Sequence, residues 1–139
     1  PAGKLPVPVG NFLYIRPGNR SFLGGGLFAD MFKDATQMVR AHMHDHPDAL
    51  RKILDAPGFS GNFTIKGTSL KNVPREYDPS HPMADYLKHK SWYIEYPFDD
   101  ARLDDPQTFV DFARSKYLLM KPFNDYLNDA LSDFTMPKR

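Results

Sequence analysis

The sequence predicts an α+β domain, a small and mostly antiparallel sheet with about five short helices packed against it. Three observations carry that expectation. The β-rich run Phe12-Leu13-Tyr14-Ile15 precedes the turn residues Pro17-Gly18-Asn19, and Ser21-Phe22-Leu23 follows them, which is the arrangement of a hairpin. Apolar residues at helical spacing recur in several later segments. Thirteen prolines in 139 residues keep those helices short, because an internal proline removes a backbone donor and clashes with the preceding turn.

Residues 1–9 read as an extended lead-in. The hairpin occupies residues 11–16 and 21–23, and Gly24-Gly25-Gly26 interrupts its second strand. Beyond the glycines, Phe28, Met31, Phe32, Ala35, Met38, Val39 and Met43 share one helical face, with Asp30 placed to cap it. His46-Pro47-Asp48 opens a second helix, with proline at its first position and an acid near the positive end of the dipole. Leu50, Ile53 and Leu54 form its apolar stripe, and Pro57-Gly58 ends it. Residues 63–66 and 70–73 flank Gly67-Thr68-Ser69 as a second hairpin. A polar loop follows over residues 74–82. Pro82 then opens a short helix through His89, and residues 91–96, with Trp92, Tyr93, Ile94 and Tyr96, read as a strong strand. Asp104-Asp105-Pro106 is another capped helix start, and Phe109, Val110, Phe112, Ala113, Tyr117 and Leu118 make that helix amphipathic. Pro122 opens the last helix, whose face is Phe123, Tyr126, Leu127, Ala130 and Leu131.

At 15.9 kDa the chain suits one domain over residues 1–139. Its composition, 41% hydrophobic and 14% aromatic, supplies a core that a disordered chain lacks. Eighteen basic against seventeen acidic side chains leave a formal charge of +1, far from the field that grips phosphate backbones, so no nucleic-acid partner is expected. Cysteine is absent, which removes disulfides, thiolate zinc sites and cysteine nucleophiles and fits a reducing, cytoplasmic setting. No apolar run approaches the roughly 20 residues of a membrane span, so no membrane partner is expected either.

Four groups of residues are placed to carry chemistry. Gly24, Gly25 and Gly26 before a helix would offer bare backbone amides to a phosphate or carboxylate, or would simply let a strand bend tightly. Lys71, Arg75 and Lys90, among a wider set with Lys66, His81, Lys88 and Trp92, would gather at one sheet end if their strands are neighbours; the bland reading is a solvated surface interleaved with Glu76, Asp78, Asp85 and Glu95. His42, His44 and His46 alternate as zinc ligands on a strand would, but the surrounding period is helical, which puts His42 and His46 on one side and His44 on another. Asp99, Asp100, Asp104 and Asp105 lack the ligand pattern of a calcium loop, and capping accounts for the last two. None of these patterns implies a cofactor or a bound metal.

The runs Phe22-Leu23-Gly24-Gly25-Gly26-Leu27-Phe28, Leu70-Lys71-Asn72-Val73-Pro74-Arg75-Glu76-Tyr77-Asp78-Pro79-Ser80-His81-Pro82, Tyr86-Leu87-Lys88-His89-Lys90-Ser91 and Met120-Lys121-Pro122-Phe123-Asn124-Asp125-Tyr126-Leu127 form a series. In order and spacing it resembles the domain-of-unknown-function family 2461. Glu76 stands where that family often has Gly, and Ala29 where a Pro commonly follows. The family's domains usually begin upstream of the hairpin with a helical segment and a basic Phe-Arg-x-x-Arg-Asp-x-Arg-Phe-like strip. The resemblance thus implies that this chain is the C-terminal portion of a longer domain, and that the isolated fragment self-associates through an uncovered edge or helix face. It implies no reaction.

Three functions remain open at this level. The first is a module binding a small anionic ligand through Gly24, Gly25, Gly26, Lys71, Arg75, His81 and Lys90. The second is an enzyme using His81 as general acid or base beside Lys90. The third is a structural or interaction domain with a Phe/Tyr-rich contact surface.

Overall fold

The computed structural model describes residues 9–29 and 32–132. In chain order the elements are β1 (Val9–Tyr14), β2 (Ser21–Leu27), α1 (Lys33–Asp45), α2 (Pro47–Asp55), α3 (Pro57–Ser60), α4 (Ala84–Leu87), β3 (Trp92–Phe98), a 3-10 turn (Asp100–Leu103) and α5 (Pro106–Ala130). The three strands form one antiparallel sheet in the order β1-β2-β3. This is the expected α+β architecture with a small sheet. The lead-in over residues 1–8, the Asp30 cap and Met31 lie outside the described residues.

The hairpin turns where the proline and glycine predict. Gly18 and Asn19 both have positive φ, +81° and +62°, a conformation these two residue types adopt with little strain. The Asp100 carboxylate accepts the amide hydrogens of Gly18 at 3.0 Å and Asn19 at 3.1 Å, and the Asn19 side-chain oxygen accepts from the Asp100 amide at 2.9 Å. The loop is thereby fastened to the far end of β3.

Side chains alternate across the sheet, so each face has its own register. Leu23 and Leu27 of β2 and Trp92, Ile94 and Phe98 of β3 turn toward the helices and are buried with Val39, Met43, Leu50, Phe123 and Leu127. Trp92 completes its burial by donating from Nε1 to the Tyr86 carbonyl at 2.8 Å. The opposite face carries Phe12, Tyr14, Phe22 and Phe28 with Tyr93. Two ring pairs stack there, Tyr14 on Phe22 at 4.9 Å and Phe28 on Tyr93 at 4.4 Å.

The glycine run does not interrupt β2. It continues the strand through Leu27, buried and flanked on both sides. Two close approaches explain it: the Phe12 ring lies where a side chain on Gly24 would stand, and Gly26, at φ +113°, presses against the Trp92 carbonyl. Pairing to two neighbours and packing on both faces outweigh the poor intrinsic strand preference of glycine.

Other boundaries differ as well. Residues 63–73 form no hairpin: Lys66 pairs with Tyr93 and Ser69 with His89 as isolated bridges. Gly67 between them, at φ +149°, sits where a side chain would meet the Ser91 carbonyl. The helix expected over residues 82–89 is only α4, because Lys88 and Lys90 turn their backbones to Leu70 and Thr68. Pro57-Gly58 ends α2 as expected but also opens α3.

The largest correction is at Pro122, which starts no helix and sits inside the 25-residue α5. The lost bond is the one to the carbonyl of Leu118, and both residues are exposed, so no buried acceptor is stranded by the proline. Met120, Phe123 and Leu127, all buried, anchor the helix on either side of the proline. Its start is as predicted: the Asp105 carboxylate accepts from the Gln107 amide at 3.1 Å and the Thr108 hydroxyl at 2.7 Å. Those bonds hold its pKa below the ordinary value, the Thr108 hydroxyl contributing most. No helix among the described residues is long and apolar enough to cross a membrane.

Candidate functional site

Gly24, Gly25, Gly26, Lys71, Arg75, His81 and Lys90 line neither of the two depressions described below. Gly24, Gly25 and Gly26 lie in the central strand, whose amides serve the ladders to β1 and β3, and α1 begins only at Lys33. Their neighbourhood is therefore a sheet interior rather than a helix N-terminus. Lys71, Arg75 and Lys90 are exposed, and among the described residues no hydrogen bond or ion pair joins their side chains to the glycines. Only the backbone of Lys90 comes near the end of β2. Its carbonyl accepts from the Thr36 hydroxyl at 3.2 Å, and that hydroxyl also reaches the Ala29 carbonyl at 3.1 Å.

His81 has both ring nitrogens engaged. Nδ1 accepts from the Met83 amide at 3.0 Å, so Nε2 carries the hydrogen and donates to the His44 carbonyl at 3.2 Å. The ring also stacks on His44 at 4.8 Å. This geometry fastens the loop before α4 to the end of α1. His42 and His46 face each other with ring centroids 4.6 Å apart and meet Tyr126 of α5, while His44 turns away toward His81 and Tyr77. Burial and the neighbouring His46 push the His42 imidazole pKa down, against Asp129 and Asp45. Among the described residues no three His, Cys, Asp or Glu side chains gather to hold a metal.

A different feature has the shape of a site. The sheet is only three strands wide, so α5 projects beyond its edge strand β1 and leaves an open groove of about 680 Å³ between them. Small-molecule sites span about 300–1,000 Å³. The wall on α5 is one continuous stripe, Phe109, Val110, Ala113, Arg114, Tyr117, Leu118, Lys121, Asn124 and Asp125, beside the stripe that enters the core. Asn11 and Leu13 supply the wall on β1. Leu13, Val110 and Leu118 remain 42%, 47% and 62% exposed there, an apolar lining that nothing covers among the described residues.

The polar groups of the groove are few and mostly paired. The Tyr117 hydroxyl donates to the Phe12 carbonyl at 2.9 Å, and burial pushes that phenol pKa up. Asn124 donates from Nδ2 to Asn11 Oδ1 at 2.8 Å, while its own Oδ1 is buried with no partner. Lys121 and Asp125 pair at 2.8 Å. Arg114 is exposed and makes neither a hydrogen bond nor an ion pair with a described residue. The sequence carried a signal for this groove: the apolar arc from Phe109 to Leu118 is wider than one core contact needs.

A second depression, about 350 Å³ and lined by Asp99, Ala101, Arg102, Asp104, Asp105 and Thr108, is polar. The side chains there already have duties. Asp105 caps α5, and Arg102 lies over the Phe112 ring at 4.1 Å.

Residues 1–126 match a family described as conserved hypothetical protein (DUF2461). The chain belongs to the DUF2461 family. No curated protein and no solved structure matches it. The match ends at Tyr126, so every residue lining the β1/α5 groove falls within the DUF2461 region of the chain. The glycine strand and the run from Leu70 to Pro82 fall within it too.

Proposed function

We propose that this DUF2461 chain is a binding module whose site is the groove between β1 and α5, taking a small molecule with an apolar body. The observation that carries the reading is the uncovered apolar wall of Leu13, Val110 and Leu118 in a cavity of about 680 Å³. Ligand sites are concave and mostly apolar with a few polar groups that orient the guest, and this groove has that make-up. The Tyr117 hydroxyl on the Phe12 carbonyl favours a small guest over an extended peptide, because α5 already occupies a backbone acceptor of the edge strand. An anion held by Gly24, Gly25 and Gly26 with Lys71, Arg75 and Lys90 has less support, since those amides serve the sheet. The same applies to acid-base chemistry at His81, whose two nitrogens are engaged. The reading places the protein in the cytoplasm, which cell fractionation checks.

Titration with the neutral fluorescent probe N-phenylnaphthylamine tests the site. Saturable binding to one site is expected, weakened about tenfold by Val110→Asp, which puts a charge into the apolar wall. Val110 is 47% exposed, so the variant keeps its fold, as circular dichroism verifies. An absence of saturable binding, or binding by Val110→Asp and by Leu118→Asp as tight as by the unmodified protein, would refute the proposal.

A further inference from the structure

We infer that the ligand of this groove is an amphiphile with an anionic headgroup, a carboxylate or a phosphate monoester, held by Arg114. The inference rests on the groove being a binding site and adds the chemical class of its guest.

The argument is one of charge. Three ionised side chains line the groove, Arg114, Lys121 and Asp125. Lys121 and Asp125 neutralise one another at 2.8 Å, leaving the Arg114 guanidinium as the one charged donor in the groove without a partner among the described residues. The neutral donors nearest the apolar wall point into the protein: the Tyr117 hydroxyl goes to Phe12, and Asn124 Nδ2 goes to Asn11. A guanidinium presents a planar fork of N–H groups that matches carboxylate or phosphate oxygens two at a time. An ammonium headgroup would meet an unopposed like charge, and an uncharged one would leave the fork to water.

The position of the charge also fits. Arg114 stands between Val110 and Leu118, one helical turn from each, so a headgroup on it leaves apolar wall on both sides for a short tail. From Arg114 to the Lys121–Asp125 pair is about 10 Å along the helix, which bounds the tail on that side. Inorganic phosphate alone would use the cation and none of the wall.

Displacement of bound N-phenylnaphthylamine separates the arms, using octanoate, octyl phosphate, octanol and inorganic phosphate at low salt. Octanoate or octyl phosphate is expected to displace the probe at a concentration about fivefold below that of octanol, the size of a partly exposed charged contact. In Arg114→Gln the ratio of anion to alcohol potency falls to near one, and 0.5 M salt does the same to the unmodified protein; Arg51→Gln, on α2, leaves the ratio as it is. The more potent of the two anions identifies the headgroup. Equal potency of octanol, an anion preference that survives Arg114→Gln, or displacement by inorganic phosphate alone overturns the inference while the groove reading stands. Failure of the probe to bind at all overturns both.

Discussion

Gly26→Ala provides a direct test of why three consecutive glycines occupy the central strand. Gly26 has φ +113°, and a Cβ built there would meet the Trp92 carbonyl and the Tyr93 α-carbon, both of them backbone atoms. Holding alanine in that region costs about 1–3 kcal/mol, and moving strand β3 away from the added methyl costs a further 1–3 kcal/mol or so, as overpacking does. The sum, about 2–6 kcal/mol, is a large share of the 5–15 kcal/mol or so that holds a domain folded. Urea unfolding followed by tryptophan fluorescence measures it, because the only tryptophan, Trp92, is buried at the contact itself. Gly10→Ala is the control: nothing lies within 4 Å of its Cβ, and a change under about 0.5 kcal/mol is expected. If Gly26→Ala stays within about 1 kcal/mol of the unmodified protein, close backbone approach is not the reason for the glycine. If it also abolishes binding of a small anion while the fold holds, the amides have the ligand role that the sheet geometry argues against.

Tyr117→Phe removes the hydroxyl on the Phe12 carbonyl, so stability is expected to fall by about 1 kcal/mol and light scattering to reveal self-association through β1; a strict monomer of unchanged stability would contradict both. Asn124→Leu relieves a buried oxygen that has no partner and loses one bond to an exposed Asn11, so a gain of about 1 kcal/mol in urea unfolding is expected, and a loss of that size would show that the amide is satisfied. His42 has a pKa lowered in the fold, so the unfolded chain takes up protons first as pH falls below 6.5, and the contribution of the neutral imidazole is intact above that pH and declines below it. Unfolding at pH 7.5 and pH 5 is expected to show a smaller decline in His42→Gln; an identical decline would remove His42 from the account.

What was legible in the sequence was local. Pro17-Gly18-Asn19 specifies its turn through backbone preferences of those residues alone, and Pro47 and Pro106 mark helix starts because a missing amide costs nothing at a first turn. What failed depends on distant partners. Pro122 looks like a further start, yet residues on both sides of it dock on the same sheet, and that docking outweighs one lost bond. Residues 63–66 look half of a hairpin, but Lys66 finds Tyr93 instead of a partner in residues 70–73. The groove was half legible. Val110, Tyr117 and Leu118 read as an apolar helical face, but whether such a face is core or open wall depends on how many strands lie beneath it, a property of the assembled sheet.

Two apolar surfaces flank the hairpin, and the structure distinguishes them as sites. On the open sheet face the rings of Phe12, Tyr14, Phe22, Phe28 and Tyr93 pack on one another through stacked and edge contacts, with Tyr14 and Phe28 each 48% exposed. In the groove, Leu13, Val110 and Leu118 are open to a similar degree, but the lining also includes Asn124, whose Oδ1 is one of two buried side-chain polar atoms without a partner among the described residues. Folding alone favours neither an unpaired buried oxygen nor an open apolar wall, and both are removed by single conservative substitutions. Their occurrence in one groove, with an arginine that has no partner among the described residues, is the pattern of stability given up for a guest. Asn124→Leu therefore discriminates further: on the binding reading it raises stability and changes affinity for the neutral probe, whereas on a purely structural reading only the first effect appears.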